Sequence, residues 1–359
     1  MPAILSRYIA TRLLSSILVS FVIFFALVYL IDFINLIQDM TQNPQANMVE
    51  IAFLGLLRAP VVVEQTFPFT MLFAAIATFV GLSRKMELVV ARATGVSVWQ
   101  MLAPALLTAG LVGVVATTLF NPAATWLQER SIQNETALYS KSSSKSSSRW
   151  IRQQSNEDQS VIRAKRSGNF GRKLTGVTAF VFTLQEGAFV ERIEAKTAIL
   201  KPGYWELRSA RVMRAGMAAE SHPVYRLATH LTAEQVAETI TSPETISFWE
   251  LPRVIEQWDA SGINTRKFQL QFQELLARPA LFATMVLIAV MVSLGLARLG
   301  GVSRAILGGV LAGFVLYIAG EMAGDLGAAG FITPVVAAWA PPIIGVLMSV
   351  TVLLYREDG

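Results

Sequence analysis

The sequence predicts a membrane α-helical protein with six transmembrane helices and an inserted all-β, jelly-roll-like external domain. Three observations predict it. Of the 359 residues, 53% are hydrophobic and only 15% charged, which is the composition of an integral membrane chain. Six apolar runs approach or exceed the length needed to cross a hydrocarbon core of roughly 30 Å. Residues 121–270, between the third and fourth runs, hold 20 of the 30 Lys and Arg residues and 15 of the 25 acidic ones, and contain no spanning run. Cysteine is absent, so no disulfide framework or thiolate metal site is available.

The first predicted span is residues 13–31, which carry no charge and follow Arg7 and Arg12. The run is too long for a signal-peptide core and no small-residue cleavage site follows it, so an uncleaved anchor is expected. Asp32 and Asp39 mark its far end. Residues 48–57 read as a short amphipathic helix near the interface. The second span, residues 61–82, is interrupted by Glu64, Gln65 and Pro68. Pro68 is expected to kink it, and Glu64 reads either as a functional intramembrane carboxylate or as a residue at headgroup level. The third span is residues 101–120, with Pro104 in its first turn and Asn121-Pro122 as its expected end.

Residues 83–100 join these two spans. As a helix the segment places Met86, Val89, Val90, Ala93 and Val96 on one apolar face, with Glu87, Ala91, Thr94 and Val98 beside it. Gly95 offers a C-cap and Trp99 an interfacial anchor. The segment reads either as a coupling helix pressed into an energy-supplying partner or as an ordinary interfacial loop helix.

The inserted stretch opens with a serine-rich low-complexity loop at residues 140–148. Strands are expected at 160–164, 174–184, 188–200, 204–215 and 224–231, separated by Gly, Pro and Asn. Alternation falters across Trp205, Leu207, Ala210, Val212 and Met213, which predicts a bulge. Short, closely spaced strands predict a sandwich or jelly roll. A helix is expected over 248–260 and another from Thr265. The remaining spans are residues 279–297, led in by 268–278, then 306–320 and 331–354. Gly309 and Gly313 in the fifth, like Gly320 and Gly324, have the spacing of a close-approach or opening face. Glu321 and Asp325 are expected to end that span, and Pro341-Pro342 lies inside the sixth.

Orientation follows from the short loops. Arg7, Arg12, Arg84, Lys85, Arg92, Arg298, Arg304 and Arg356 fall on one side, and Asp32, Asp39, Glu321 and Asp325 on the other with only Arg58. Both termini are thus expected in the cytoplasm and the inserted domain outside. The organisation is residues 1–120 for the first three spans, with the coupling segment at 83–98, then 121–267 for the β domain and 268–359 for the last three spans.

The sequence has no phosphate loop, no H-E-x-x-H and no G-x-S-x-G, so neither ATP hydrolysis nor these hydrolase chemistries are expected of this chain. The two histidines, His222 and His230, lie in the inserted domain, and neither points to catalysis. The spans lack the ionisable series a proton-driven carrier needs. Arg163, Lys165, Arg166, Arg172 and Lys173 read as a basic surface, either solvated or facing an anionic lipid headgroup or glycan.

The layout of three spans, a β domain and three spans resembles the LptF/LptG family of lipopolysaccharide export permeases. The closest likeness is residues 82–97, LSRKMELVVARATGVS, which looks like that family's coupling helix with Glu87 at its acidic position. Phe67-Pro68, residues 314–317 (FVLY) and residues 341–345 (PPIIG) are also similar, the last tipping the likeness towards LptG. The resemblance implies a non-catalytic permease of the inner membrane with a periplasmic β domain. It implies an LptF-like permease subunit, an LptB-like ATPase dimer, an LptC-like single-span protein and lipopolysaccharide as partners. No cofactor is expected on this chain, ATP and Mg belonging to the ATPase. Glu87, Leu88, Val89, Arg92 and Gly95 are the expected ATPase contact. Phe25, Phe33, Phe67, Phe69 and Tyr317 are candidates for the acyl-chain cavity, and Gly309 and Gly313 for a lateral gate. One departure stands out: family members often carry basic residues at the outer end of the first span, where this chain has Asp32 and Asp39. Two other readings compete: a permease that only signals, and a membrane enzyme using Glu64, Glu321 or Asp325 as acid or base.

Overall fold

The computed structural model describes residues 3–40, 48–141, 149–154, 158–168, 173–183, 188–214, 217–231, 242–260, 264–299 and 302–357. The chain forms two compact units, one of residues 1–131, 246–255 and 265–359, the other of 132–245 and 256–264.

The first unit is helical, and the helices Asn121–Lys141 and Leu251–Asp259 continue from it into the second. In chain order the helices are α1 (Ala3–Met40), α2 (Met48–Gln65), α3 (Phe67–Arg84), α4 (Glu87–Ala93) and α5 (Val98–Val115). A π-helical turn (Ala116–Phe120) leads into α6 (Asn121–Lys141), and α7 (Leu251–Asp259), α8 (Arg266–Leu299), α9 (Val302–Ala329) and α10 (Pro334–Glu357) follow the sheet. Among the described residues six helices are long and apolar enough to cross a membrane: Ile4–Gln38, Phe67–Arg84, Val98–Ile132, Arg266–Ser293, Ile306–Ala329 and Pro334–Tyr355. α3 and α8 are the central ones, contributing Leu72, Ala75, Phe79, Met285, Val286 and Ala289 to a core shared with Ile9 and Leu13 of α1. Most of α1 beyond Leu13 presents its apolar side chains outward, Leu18, Val22, Leu27 and Leu30 among them.

Several expected boundaries shift. α2 (18 residues) is longer than the helix expected over 48–57. It runs through Pro60 because buried Ile51, Leu54 and Leu57 on one side and Val61 and Val63 on the other hold both halves against neighbours. The break comes at Thr66, whose N–H and hydroxyl both donate to the Val63 carbonyl at 2.9 and 2.8 Å. Pro68 then opens α3 rather than kinking a longer helix, at a position where a missing N–H costs nothing.

Asn121-Pro122 does not end the third span. The Asn121 N–H reaches back to Ala116 rather than Thr117, making the π turn. Pro122 has no N–H for the Thr118 carbonyl, and Trp249 Nε1 donates to it instead at 3.0 Å. The helix therefore continues past the proline, with its freed acceptor satisfied from another element. Likewise Glu321 and Asp325 lie inside α9, which ends at Gly330. Gly330 has φ 87°, and the N–H groups of Gly330 and Phe331 close back on Gly327 and Leu326, a Schellman end.

The second unit carries a six-stranded antiparallel sheet in sequential order, β1 (Arg149–Gln154), β2 (Asp158–Gly168), β3 (Lys173–Thr183), β4 (Phe189–Lys201), β5 (Tyr204–Arg214) and β6 (Glu220–Ala228). Each strand pairs with its successor. Among the described residues this is one meandering sheet, without the Greek-key crossings of the expected sandwich or jelly roll. Its apolar face is built around Ile162, Val177, Ile193, Trp205, Leu207 and Val212. Gln153 of β1, a strand its polar sequence did not announce, accepts from Trp205 Nε1 at 3.1 Å and Thr229 Oγ1 at 2.6 Å and donates to Ser160 Oγ at 2.8 Å. Buried Glu191 accepts from Arg214 at 3.0 Å and Tyr225 at 2.6 Å. Burial, reinforced by that bond to Glu191, pushes the Tyr225 hydroxyl up to about 12.

The faltering alternation in β5 has a different cause from a bulge. Buried positions change parity between Leu207 and Ala210, but the pairing with β4 and β6 keeps one register throughout. Parity flips at Ser209, which is left-handed with φ 54°. The same flip occurs in β3 at Gly176, φ 66°, and in β4 between Ala195 and Ala198. The registers put Gly176, Lys196, Ser209 and Pro223 in one transverse row. The sheet is creased along that row, and the crease keeps both halves of each strand facing one core. Serine at φ 54° bears a steric cost that glycine does not. Ser209→Gly is therefore expected to stabilise this unit by about 1 kcal/mol, read from its thermal unfolding by circular dichroism. A destabilised variant would mean the Ser209 side chain contributes more than its backbone costs.

Candidate functional site

The segment between the second and third spans is a compact corner. α3 closes at Lys85, whose N–H reaches Gly81 O at 3.3 Å. Met86 then turns the chain in the left-handed region at φ 60°. α4 has only seven residues, Glu87–Ala93, shorter than the expected 83–98 segment because Ser83 and Arg84 complete α3 and Val98 begins α5. Gly95, at φ 84°, ends α4 in a Schellman turn: its N–H meets Arg92 O at 2.9 Å, and the Val96 N–H meets Ala91 O at 3.3 Å. Ser97 and Gln100 form a capping box on α5.

Leu88 is the anchor of α4: it is buried in the cluster that contains Ile9, Leu82 and Val98. Expected among the contact residues, it faces this chain's own interior. The face formed by Met86, Val89 and Val90 is open, with exposures of 62%, 49% and 62%. Arg92 and Ala93 are also exposed, while Val96 is half-buried.

Glu87, at the first position of α4, is held from α1. The Tyr8 hydroxyl donates to Glu87 Oε2 at 2.9 Å, and Arg12 Nη1 lies 3.2 and 3.3 Å from the two carboxylate oxygens. Arg12 also donates to the Tyr8 oxygen at 2.6 Å. Tyr8 and Arg12 are one helical turn apart, so both point at the same carboxylate. That spacing was the available sequence signal; its meeting with Glu87 was not visible.

The five aromatic candidates fall in three places. Phe67 is buried among Phe21, Phe120 and Phe282, and Phe25 packs on Phe21 at 6.0 Å, so these two belong to the interior of the helix bundle. Phe33 stacks on Tyr29, whose hydroxyl donates to Ala52 O across α1 and α2 at 3.2 Å. Phe69 meets Tyr317 at 4.8 Å between α3 and α9. Gly309 and Gly313 are buried against α3. A β-carbon at Gly313 would stand 2.3 Å from Leu72 Cδ2, and one at Gly309 3.3 Å from Ile76 Cδ1. Their small face makes an internal helix approach.

Glu64 does not face a surface of the helical unit. It is buried, paired with Arg278 of α8 and accepting from Asn121 Nδ2 at 2.9 Å. Asn121 Oδ1 in turn accepts the Phe248 N–H at 2.8 Å. This node joins the end of α2, the π turn and α8, with both donors meeting the same carboxylate oxygen, Oε1. Asp32 lies 4.0 Å from Arg58. Of the basic cluster in the inserted domain, Lys173 is exposed and Arg163 half-buried; Arg172 lies outside the described residues.

Six apolar helices with an antiparallel sheet inserted between the third and fourth define a multi-pass membrane protein. The chain belongs to the lipopolysaccharide export system permease LptF/LptG family, whose model matches residues 7–356. It is a lipopolysaccharide export permease, a non-catalytic subunit of the inner membrane, and family membership implies a complex with a partner permease. No individually curated protein matches it.

Proposed function

We propose that this chain is the LptG-type half of a permease pair that extracts lipopolysaccharide from the inner membrane and passes it to a periplasmic bridge, driven by ATP hydrolysis in a separate subunit. The LptG assignment rests on residues 341–345. Both termini are cytoplasmic and the sheet unit periplasmic, as the distribution of short-loop charges supports. An LptF-like subunit completes the lipid path, an LptC-like single-span protein meets the sheet unit, and an LptB-like ATPase dimer receives α4. ATP and Mg are held by that ATPase. The outer end of the first span carries Asp32, 4.0 Å from Arg58, in place of a basic pair, so this chain either suits a lipid with fewer phosphates or leaves their recognition to the partner permease.

The observation that carries the coupling is the open apolar face of α4. Met86, Val89 and Val90 are exposed in a loop that Leu88 fastens to the bundle from beneath. Exposed aliphatic side chains on an anchored helix mark a docking surface. Val90 tests this better than Glu87, which has internal partners. Val90→Glu is expected to leave membrane insertion and recovery of the sister permease intact while cutting co-purified ATPase at least about tenfold, the equivalent of roughly 1.4 kcal/mol. Full ATPase recovery with that variant would sink the docking assignment.

A further inference from the structure

Arg12 and Tyr8 have no part in the contact just described, yet they hold its acidic residue. We propose that the two are positioning residues that fasten Glu87 to the first span, so that movement of α4 is passed to α1; this rests on the reading of α4 as the ATPase-docking helix. Three observations support the link. The carboxylate is bonded through both oxygens, to the Arg12 guanidinium at 3.2 and 3.3 Å and to the Tyr8 hydroxyl at 2.9 Å. The guanidinium crosses α3 at Gly81, where a β-carbon would stand 3.1 Å from Arg12 Nη2. Glycine there keeps the passage open. Beneath this polar grip, Leu88 shares the core with Ile9 and Leu13, one residue after Tyr8 and one after Arg12.

The grip is one of charge and direction together. Arg12 and Glu87 are only partly exposed, at 23% and 32% of their side chains, so water screens the pair incompletely. Glu87 is the first residue of α4, where the positive helix end also favours its charge. α1 is a single uninterrupted helix of 38 residues, so displacement of its first turns is delivered along its length rather than absorbed at a hinge. Its outward apolar face, Leu18 through Leu30, is the surface such a displacement would move. The docking face of Met86, Val89 and Val90 lies on other positions of α4, so a partner can press on it without first breaking the grip.

The test uses the full chain assembled with its sister permease and ATPase in proteoliposomes, reading ATP hydrolysis and lipopolysaccharide released to a soluble acceptor. Arg12→Gln is expected to keep the ATPase bound and hydrolysis within about twofold, while lipid released per ATP falls about tenfold. Tyr8→Phe, which removes one donor and keeps the ring, is expected to lower release about threefold, and Arg12→Lys to restore most of it. Unchanged release per ATP in both Arg12→Gln and Tyr8→Phe overturns the proposal. Loss of ATPase binding in Arg12→Gln also overturns it, by making Arg12 part of the docking surface. If Arg12→Gln does not accumulate, Tyr8→Phe decides alone. Val90→Glu separates the two claims: retention of the ATPase there removes the docking reading, whereas its loss beside a silent Arg12→Gln removes only the grip.

Discussion

Arg278→Leu, with Glu64 left in place, is expected to destabilise the helical unit by about 3–5 kcal/mol, because it strands a buried carboxylate. Glu64 is 7% exposed and has two polar partners, the Arg278 guanidinium and the Asn121 amide. Removing the cation leaves one neutral donor against a charge that water cannot reach, and such a group is costly however it responds. The double variant Glu64→Met with Arg278→Leu is expected to recover most of the loss, since a buried ion pair replaced by apolar side chains is often neutral. Recovery stays incomplete because Asn121 Nδ2 loses its acceptor, although Asn121 Oδ1 keeps the Phe248 N–H. Thermal unfolding of detergent-solubilised protein, followed by the surviving monodisperse fraction, reads both variants. Equal losses in the single and double variants would mean that side-chain volume, not uncompensated charge, governs the node.

The node also shows where reading the sequence stops. The six spans were legible because a bilayer demands long uncharged runs, and residues 13–31 and 101–120 meet that demand without a single charge. Strands β3, β4 and β5 were legible because one face of a sheet is buried and the other is not. β1, with Arg149, Arg152, Gln153 and Gln154 in six residues, lacks that contrast, and Gln153 is buried. Helix ends were poorly legible wherever a proline stood. Pro68 and Pro122 each read as an interruption, yet only Thr66 breaks a helix there, because side chains and a π turn take up what the prolines release. Pairings across the chain were out of reach altogether. Glu64 and Arg278 are 214 residues apart, and Glu87 and Arg12 are 75 apart. What the sequence did show was their kind: unlike charges at the margins of different apolar runs, each needing a partner at the same depth. The open face of α4 was legible from its period, but the inward turn of Leu88 was not, since a seven-residue helix offers too little repeat to separate an anchor from a contact.

Gly113→Ala is expected to cost about 3 kcal/mol, an unusual penalty for one methyl group. The reason is what the methyl would meet. A β-carbon at Gly113 would stand 2.6 Å from Pro279 Cα and 3.0 Å from Pro279 N, both backbone atoms of the central helix α8. Backbone cannot rotate aside, so α5 and α8 must separate. Four residues on, Thr117 donates its hydroxyl to Leu275 O at 2.9 Å, the carbonyl that Pro279 leaves without its usual N–H. Separation would therefore break the bond that makes the proline tolerable, and the two costs arrive together. Elsewhere the same substitution meets softer surroundings. At Gly313 the β-carbon would meet Leu72 Cδ2, the end of a side chain able to shift at a cost of about 1 kcal/mol, and at Gly320 it would meet nothing within 4 Å. The expected order of thermal stability is Gly320→Ala near the parent, Gly313→Ala below it and Gly113→Ala lowest by a wide margin. If Gly113→Ala matched Gly320→Ala, the approach of α5 to α8 would have to be looser than these distances, and Thr117 could not be bridging to Leu275.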